Sequence, residues 1–218
     1  VKIFIIVGMP ASGKNIARMY AQSKGMPYYS TGDIVREEIR NRGLEEDAVT
    51  TARVSDELRN PDGMGVTRRA LSRALEHHET GVFLEEMRSW QEVELIRQHA
   101  PTVVVAFLAP RETRRERVLH RARADDSADA FDERDMREIA YGTAIPIARA
   151  DTYIMNTGSL DDGRTALDAI VGDHLGAGDL PRNRSQGGGR ILPGRFVFLM
   201  LNKATRRIEL SLHGNELL

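Results

Sequence analysis

The chain has 218 residues, 41% apolar and 29% charged, with no cysteine and a formal charge of −1. This suits one α/β domain with a full core, or one domain plus an appendage, and it excludes a disulfide framework or a thiolate metal site. No stretch approaches the roughly 18 apolar residues of a membrane span, and residues 1–175, at a net charge of −5, are not expected to bind nucleic acid through bulk charge.

In chain order, the apolar run Ile3–Val7 reads as a short buried strand. It is far too short for a signal peptide and runs directly into a glycine-rich turn, so a cytoplasmic protein is expected. Helical spacing follows over Lys14–Lys24, and Pro27–Ser30 is a weaker strand candidate. Helices are expected over Ile34–Arg42, Val49–Leu58 and Val66–His78, then a strand at Val82–Leu84 and a helix at Gln91–His99. Strand Val103–Leu108, helices Glu112–Arg121 and Glu133–Arg149, strand Tyr153–Met155 and helix Leu160–Val171 complete the body. Strands alternating with helices predict a five-stranded parallel sheet with helices on both faces, its ligands bound beyond the carboxyl ends of the strands.

The composition changes after His174. Residues 176–218 carry seven Lys/Arg and three Asp/Glu, a net of +4, beginning with a Gly-, Pro- and Arg-rich stretch that reads as a linker. Beyond it, RFVFLMLNKATRRIELSLHG alternates apolar and polar residues on both sides of a turn-like NKAT, a β-hairpin pattern. An extension without order is the alternative.

The glycine-rich turn is Gly8-Met9-Pro10-Ala11-Ser12-Gly13-Lys14-Asn15, which fits the P-loop spacing G-x-x-x-x-G-K with a substitution at the last position. Its glycines let successive N–H groups point at phosphate oxygens. The following helix adds its positive dipole end, and Lys14 a mobile charge for the β- and γ-phosphates of ATP. A hydroxyl that helps hold Mg2+ normally follows the lysine, and Asn15 stands in its place. Its amide oxygen can ligate the metal but cannot ionise. A second acidic group after a later strand usually holds that metal through water. The candidates are Glu85 and Glu86, after the strand Val82–Leu84, with Glu85 taken as the metal residue beside Asn15.

The segment Ser30-Thr31-Gly32-Asp33-Ile34-Val35-Arg36 follows the second strand. Thr31 and Asp33 can cap the next helix, Gly32 lets a ligand approach the backbone, and Arg36, one turn in, would face an incoming monophosphate. Here the chain resembles the nucleoside monophosphate kinases, whose second strand ends in Ser-Thr-Gly-Asp followed by two apolar residues and Arg. Glu85-Glu86-Met87-Arg88 occupies the place of their Asp-Gly element, with Arg88 as a second clamp on the acceptor phosphate.

The arginines Arg114, Arg115, Arg117, Arg121 and Arg123, then Arg134 and Arg137, resemble a kinase lid over about 117–137 and the returning helix. The resemblance makes Arg117, Arg121, Arg134 and Arg137 part of a phosphate cage, with Lys14 and Arg88; a solvated, salt-bridged helical face is the alternative. Ala150-Asp151-Thr152-Tyr153-Ile154-Met155-Asn156-Thr157-Gly158-Ser159-Leu160 resembles the last strand and turn of dephospho-CoA kinases. That likeness places Asn156 and Gly158 near the adenine of ATP.

Residues 1–175 as a whole resemble an archaeal family of adenylate-kinase-like and dephospho-CoA-kinase-like P-loop proteins. The family implies a P-loop NTPase fold of the nucleoside monophosphate kinase type with a helical lid, acceptor-binding helices over about 31–79, and transfer of the γ-phosphate of ATP to a nucleotide-like acceptor. A nucleotide-binding regulator or weak ATPase with an altered Mg2+ site is the alternative. The histidines His77, His78 and His99 read as surface residues at helix ends, and Trp90 as a helix start that packs.

Overall fold

The computed structural model describes residues 1–78, 81–121, 127–176, 196–202 and 207–213. Strand β1 (Lys2–Val7) lies at the centre of a five-stranded, all-parallel sheet with β2 (Tyr28–Ser30), β3 (Gly81–Glu85), β4 (Thr102–Leu108) and β5 (Thr152–Met155), in the order β2-β3-β1-β4-β5. The run of Ile and Val in β1 follows from its place, since a parallel strand covered on both faces carries apolar residues at every position. Ile3, Ile5 and Val7 enter one core layer and Phe4 and Ile6 the other.

The first layer is closed by α2 (Thr31–Asn41), α3 (Ala48–Arg59), α4 (Gly65–Leu75) and α5 (Trp90–Arg97), through residues such as Ile39, Val54, Ala70 and Val93. The second is closed by α1 (Asn15–Lys24) and α9 (Leu160–Leu175), with Tyr20, Leu167 and Val171 inside. The remaining helices of the body are α6 (Arg111–Arg121), α7 (Ala128–Ala140) and α8 (Ala144–Ala148). The single helix expected over Glu133–Arg149 is thus two, separated at Gly142, whose φ of +92° is left-handed and cannot continue a helix. Trp90 starts α5 and is buried under Arg97 and Arg149, as its position in the sequence suggested.

Strands β6 (Phe196–Asn202) and β7 (Arg207–His213) pair antiparallel, which matches the hairpin pattern; the linker and the turn between the strands lie outside the described residues. Among the described residues no helix is long and apolar enough to cross a membrane.

Candidate active site

The loop Gly8–Asn15, the segment Thr31–Arg36, Glu85–Arg88 and Asn156–Gly158 lie at or after the carboxyl ends of β1, β2, β3 and β5, so these motifs share one edge of the sheet. The loop after β1 is held from outside. Arg114 Nη1 donates to the Pro10 carbonyl (3.2 Å), Arg117 Nη1 to that of Ala11 (3.3 Å), and Asn156 Nδ2 to that of Ser12 (2.8 Å). With three successive carbonyls turned toward α6 and the end of β5, the amides must face the other way. Those of Ala11, Gly13, Lys14 and Asn15 donate to no group among the described residues. The same four residues line a cavity at the start of α1, an arrangement that suits an anion.

Two glycines are dictated by space. A Cβ on Gly13, which has φ +100°, would lie 1.9 Å from Asn156 Nδ2. One on Gly8 would meet Ser12 Oγ at 2.4 Å and the Phe107 carbonyl at 2.7 Å. Ala11 has φ +60° and keeps a left-handed conformation that costs a non-glycine residue roughly 1–2 kcal/mol. Such strain is kept where the surroundings over-determine it, and here Arg117 holds the Ala11 carbonyl.

Lys14 Nζ rests on the Gly8 carbonyl (2.8 Å) and Met9 carbonyl (3.4 Å). It lines two cavities. One, of about 500 Å3, is shared with Asn15, Glu85, Arg117, Asn156 and Gly158. The other, of about 200 Å3, is shared with Pro10, Glu86, Arg88, Arg134 and Glu138. The larger volume lies within the range of small-molecule sites. Its cradle of unpaired amides and its lysine fit a nucleoside triphosphate, and in the same loop the buried Ser12 hydroxyl has no partner among the described residues.

The metal candidates Asn15 and Glu85 both line the larger cavity. Among the described residues no group of three or more His, Asp or Glu is placed to hold a metal ion. A pair of protein oxygens beside phosphate fits Mg2+, which takes one or two protein ligands and draws the rest from phosphates and water. Glu85 accepts a hydrogen bond from the Tyr28 hydroxyl (2.7 Å), and Arg18 Nη2 stands 3.8 Å away. Burial, then the neighbouring Glu86 charge, pushes the Glu85 carboxyl above its usual range, against the pull of Lys14, the Tyr28 hydrogen bond and Arg18.

A carboxyl whose folded pKa is raised contributes stability below its unfolded pKa, near 4.3, that is lost as pH rises through the folded value. Glu85→Gln is therefore expected to raise the thermal midpoint at neutral pH. The gain should shrink as the pH is lowered toward about 4, which melting curves across that range would check.

On the other side of β1, Ser30, and not Thr31 or Asp33, caps α2: its hydroxyl accepts from the Asp33 amide (3.0 Å). Asp33 instead joins Arg36 (2.6 Å) to Arg18 (2.6 Å). Burial raises the Asp33 carboxyl, but the hydrogen bonds from Arg36, Arg18 and Ser30 prevail and hold it at about 2. Glu86, in the left-handed region at φ +72°, turns its carboxylate onto the first turn of α2, where Oε2 accepts from the Gly32 amide (3.0 Å) and Thr31 Oγ1 (3.2 Å). The backbone seat expected for an acceptor phosphate therefore holds a side-chain anion, and Arg36 points to Asp33 as its ion partner.

Arg88 reaches the second cavity on a turn fixed by the buried Glu92, whose Oε2 accepts from the Arg88 and Ser89 amides, both at 2.8 Å. Its guanidinium lies over the Tyr141 ring and 3.4 Å from Glu138. Arg134 lines the same cavity. Arg117 lines the larger one, its Nη2 on the Asn156 carbonyl (2.7 Å). Arg137 is exposed on α7 and is not among the residues lining either cavity, so the expected cage does not include it here. The side chain of Arg121, and Arg123 with the Asp125-Asp126 segment, lie outside the described residues.

Arg114 was part of the arginine run but not of the expected site. It is buried, makes a two-pronged ion pair with Asp135 (Nη2–Oδ2 2.9 Å), and so ties α6, α7 and the loop together. Its spacing of three from Arg117 puts both on one helical face. Its partner lies 21 residues away, which only the fold reveals.

Comparison with known proteins gives the family and the fold. The sequence profile of the AAA domain family AAA_17 matches residues 7–132. A UPF0200 protein of Methanosarcina acetivorans is 35% identical over 179 residues, 80% of this chain and 96% of its own length. The UPF0200 protein MJ1399 of Methanocaldococcus jannaschii is 35% identical over 175 residues, 78% of this chain and 89% of its own length. Among solved structures, TT1252 from Thermus thermophilus superposes with a TM-score of 0.60 at 24% identity, covering 80% of this chain and 98% of that one, which speaks to the fold alone. The chain belongs to the archaeal UPF0200 family, and residues 7–132 of its body match the AAA_17 domain, with the P-loop at the start of the match.

Proposed function

We propose that the protein is an ATP-dependent phosphotransferase, moving the γ-phosphoryl group of ATP to a small-molecule acceptor. One observation carries this reading: Lys14 lines both cavities, so one cation would stand between the donor and the acceptor if each cavity takes one of them. In such a transfer the acceptor oxygen bonds to the γ-phosphorus, the bond from that phosphorus to the β,γ-bridging oxygen breaks so that this oxygen leaves with ADP, and the acceptor's hydroxyl proton is released to solvent water. Phosphoryl transfer asks the protein for positioning and charge stabilisation more than for a covalent nucleophile. The loop amides and Lys14 would hold the β- and γ-phosphates. Arg88 and Arg134 would face the acceptor, and Arg117 the donor side. Asn15 and Glu85 would hold Mg2+, which when bound neutralises phosphate charge. The end of α6 and most of α7, which fall in the lid expected over about 117–137, would exclude water and favour transfer over hydrolysis. Helices α2–α4 would flank the acceptor, and the chain from residue 176 on would be an appendage to the catalytic domain.

A panel of hydroxyl-bearing acceptors, read by ADP formation, tests the reading. Turnover that requires one acceptor class is expected; ATP binding without any acceptor-dependent turnover would overturn it.

A regulator or weak ATPase is the second reading, favoured by two departures around the metal: the neutral Asn15, and Glu85-Glu86 in the place of the usual Asp-Gly. Asn15→Ser separates them. A kinase with damped metal binding gains Mg2+-dependent transfer in this variant, by about tenfold or more if one good ligand is restored. A regulator stays inactive with either residue.

A further inference from the structure

The placement of Glu86 narrows the acceptor. Its carboxylate occupies the first turn of α2, bonded to the Gly32 amide and the Thr31 hydroxyl. Above Gly32 it converges with the Arg36 guanidinium: a Cβ added to Gly32 would meet Glu86 Oε2 at 3.0 Å and Arg36 Nη1 at 3.2 Å. An incoming phosphate would need the same amide and the same guanidinium, beside a fixed negative charge. The backbone here is committed to that arrangement, since Glu86 holds φ +72°, a conformation a side chain rarely adopts. The same residue lines the second cavity with Arg88, Arg134 and Glu138. At about 200 Å3 that cavity is smaller than the roughly 300–1,000 Å3 of ordinary ligand sites.

We propose that Glu86 is a specificity-determining residue: the acceptor is a compact molecule that presents a hydroxyl or ammonium donor to this carboxylate, and not a nucleoside monophosphate. The carboxylate repels a phosphate at α2 and offers lone pairs to a donor group, so one residue selects for one class and against the other. The proposal rests on the phosphotransferase reading for the word acceptor, but the exclusion of a phosphate from this seat can be measured without it.

The test titrates AMP, by calorimetry, into the full chain and into Glu86→Gly, which relieves the left-handed backbone and frees the seat. Glu86→Asn, neutral and tolerant of the same φ, serves as a second variant should the glycine fail to fold. A parallel ATP titration of each protein reports the loop separately. The wild type is expected to bind AMP no tighter than about 1 mM at the second site, and Glu86→Gly or Glu86→Asn at least about tenfold more tightly. Adding Arg36→Ala to either variant should remove that gain. Micromolar, Arg36-dependent AMP binding by the wild type would overturn the proposal, as would a folded Glu86 variant with no gain. Failure of ATP to bind the wild type would instead sink the phosphotransferase reading, leaving the AMP comparison to decide the role of Glu86.

Discussion

Replacing Arg114 with methionine is expected to cost about 3–5 kcal/mol of stability, because it strands the Asp135 carboxylate in the interior. Both side chains are under a tenth exposed, and the pair is the buried link between α6 and α7. Against a total of roughly 5–15 kcal/mol for a domain, this is a large share. The double variant Arg114→Met with Asp135→Leu should recover most of the loss, since exchanging a whole buried pair for apolar groups is often close to neutral. Denaturant midpoints of the wild type, the single and the double variant check this. A single variant within about 1 kcal/mol of the wild type would show that water reaches the pair. ATP affinity should fall in both variants, because both lose the hydrogen bond that turns the Pro10 carbonyl outward.

Gly13→Ala is expected to abolish useful nucleotide binding, a loss of about 100-fold or more, equivalent to about 2.7 kcal/mol. The added methyl would lie 1.9 Å from Asn156 Nδ2 at a φ of +100°, so the loop must move or Asn156 must release the Ser12 carbonyl. Either change spoils the alignment of the amides. Gly25→Ala is the matched control: its φ of +64° is also left-handed, yet nothing lies within 4 Å of the new Cβ. It should cost roughly 1–2 kcal/mol of stability and leave ATP affinity alone. Equal ATP affinity in Gly13→Ala and wild type would mean that the loop does not hold the nucleotide.

Much of this was readable in the residues. The order of strands and helices, and the parallel sheet, follow from apolar runs too short for anything but buried strands, spaced by amphipathic stretches. The loop was legible because glycine spacing and a lysine are local features. What was not legible depends on partners far apart in sequence. Asn156 is 144 residues from Ser12, and its side chain braces the loop carbonyl, a duty that nothing around position 156 announces. Glu86 invited reading as a second metal residue; its backbone angle, set by the turn after β3, sends it to α2 instead. Ser30 took the cap expected of Thr31 or Asp33 because α2 begins directly after β2, leaving Thr31 already inside the helix. Asp33 was then free to join Arg18 and Arg36. The break at Gly142 was visible as a glycine, but its left-handed φ was not.

Every role proposed for this site depends on the loop amides and Lys14 binding the phosphates of ATP. Equilibrium titration of the full chain with ATP and Mg2+, beside Lys14→Ala, tests it most directly. Saturable binding of one ATP per chain is predicted, weakened at least about 100-fold by the substitution. A wild-type chain that binds no ATP, or a Lys14→Ala variant that binds it equally well, would contradict the account.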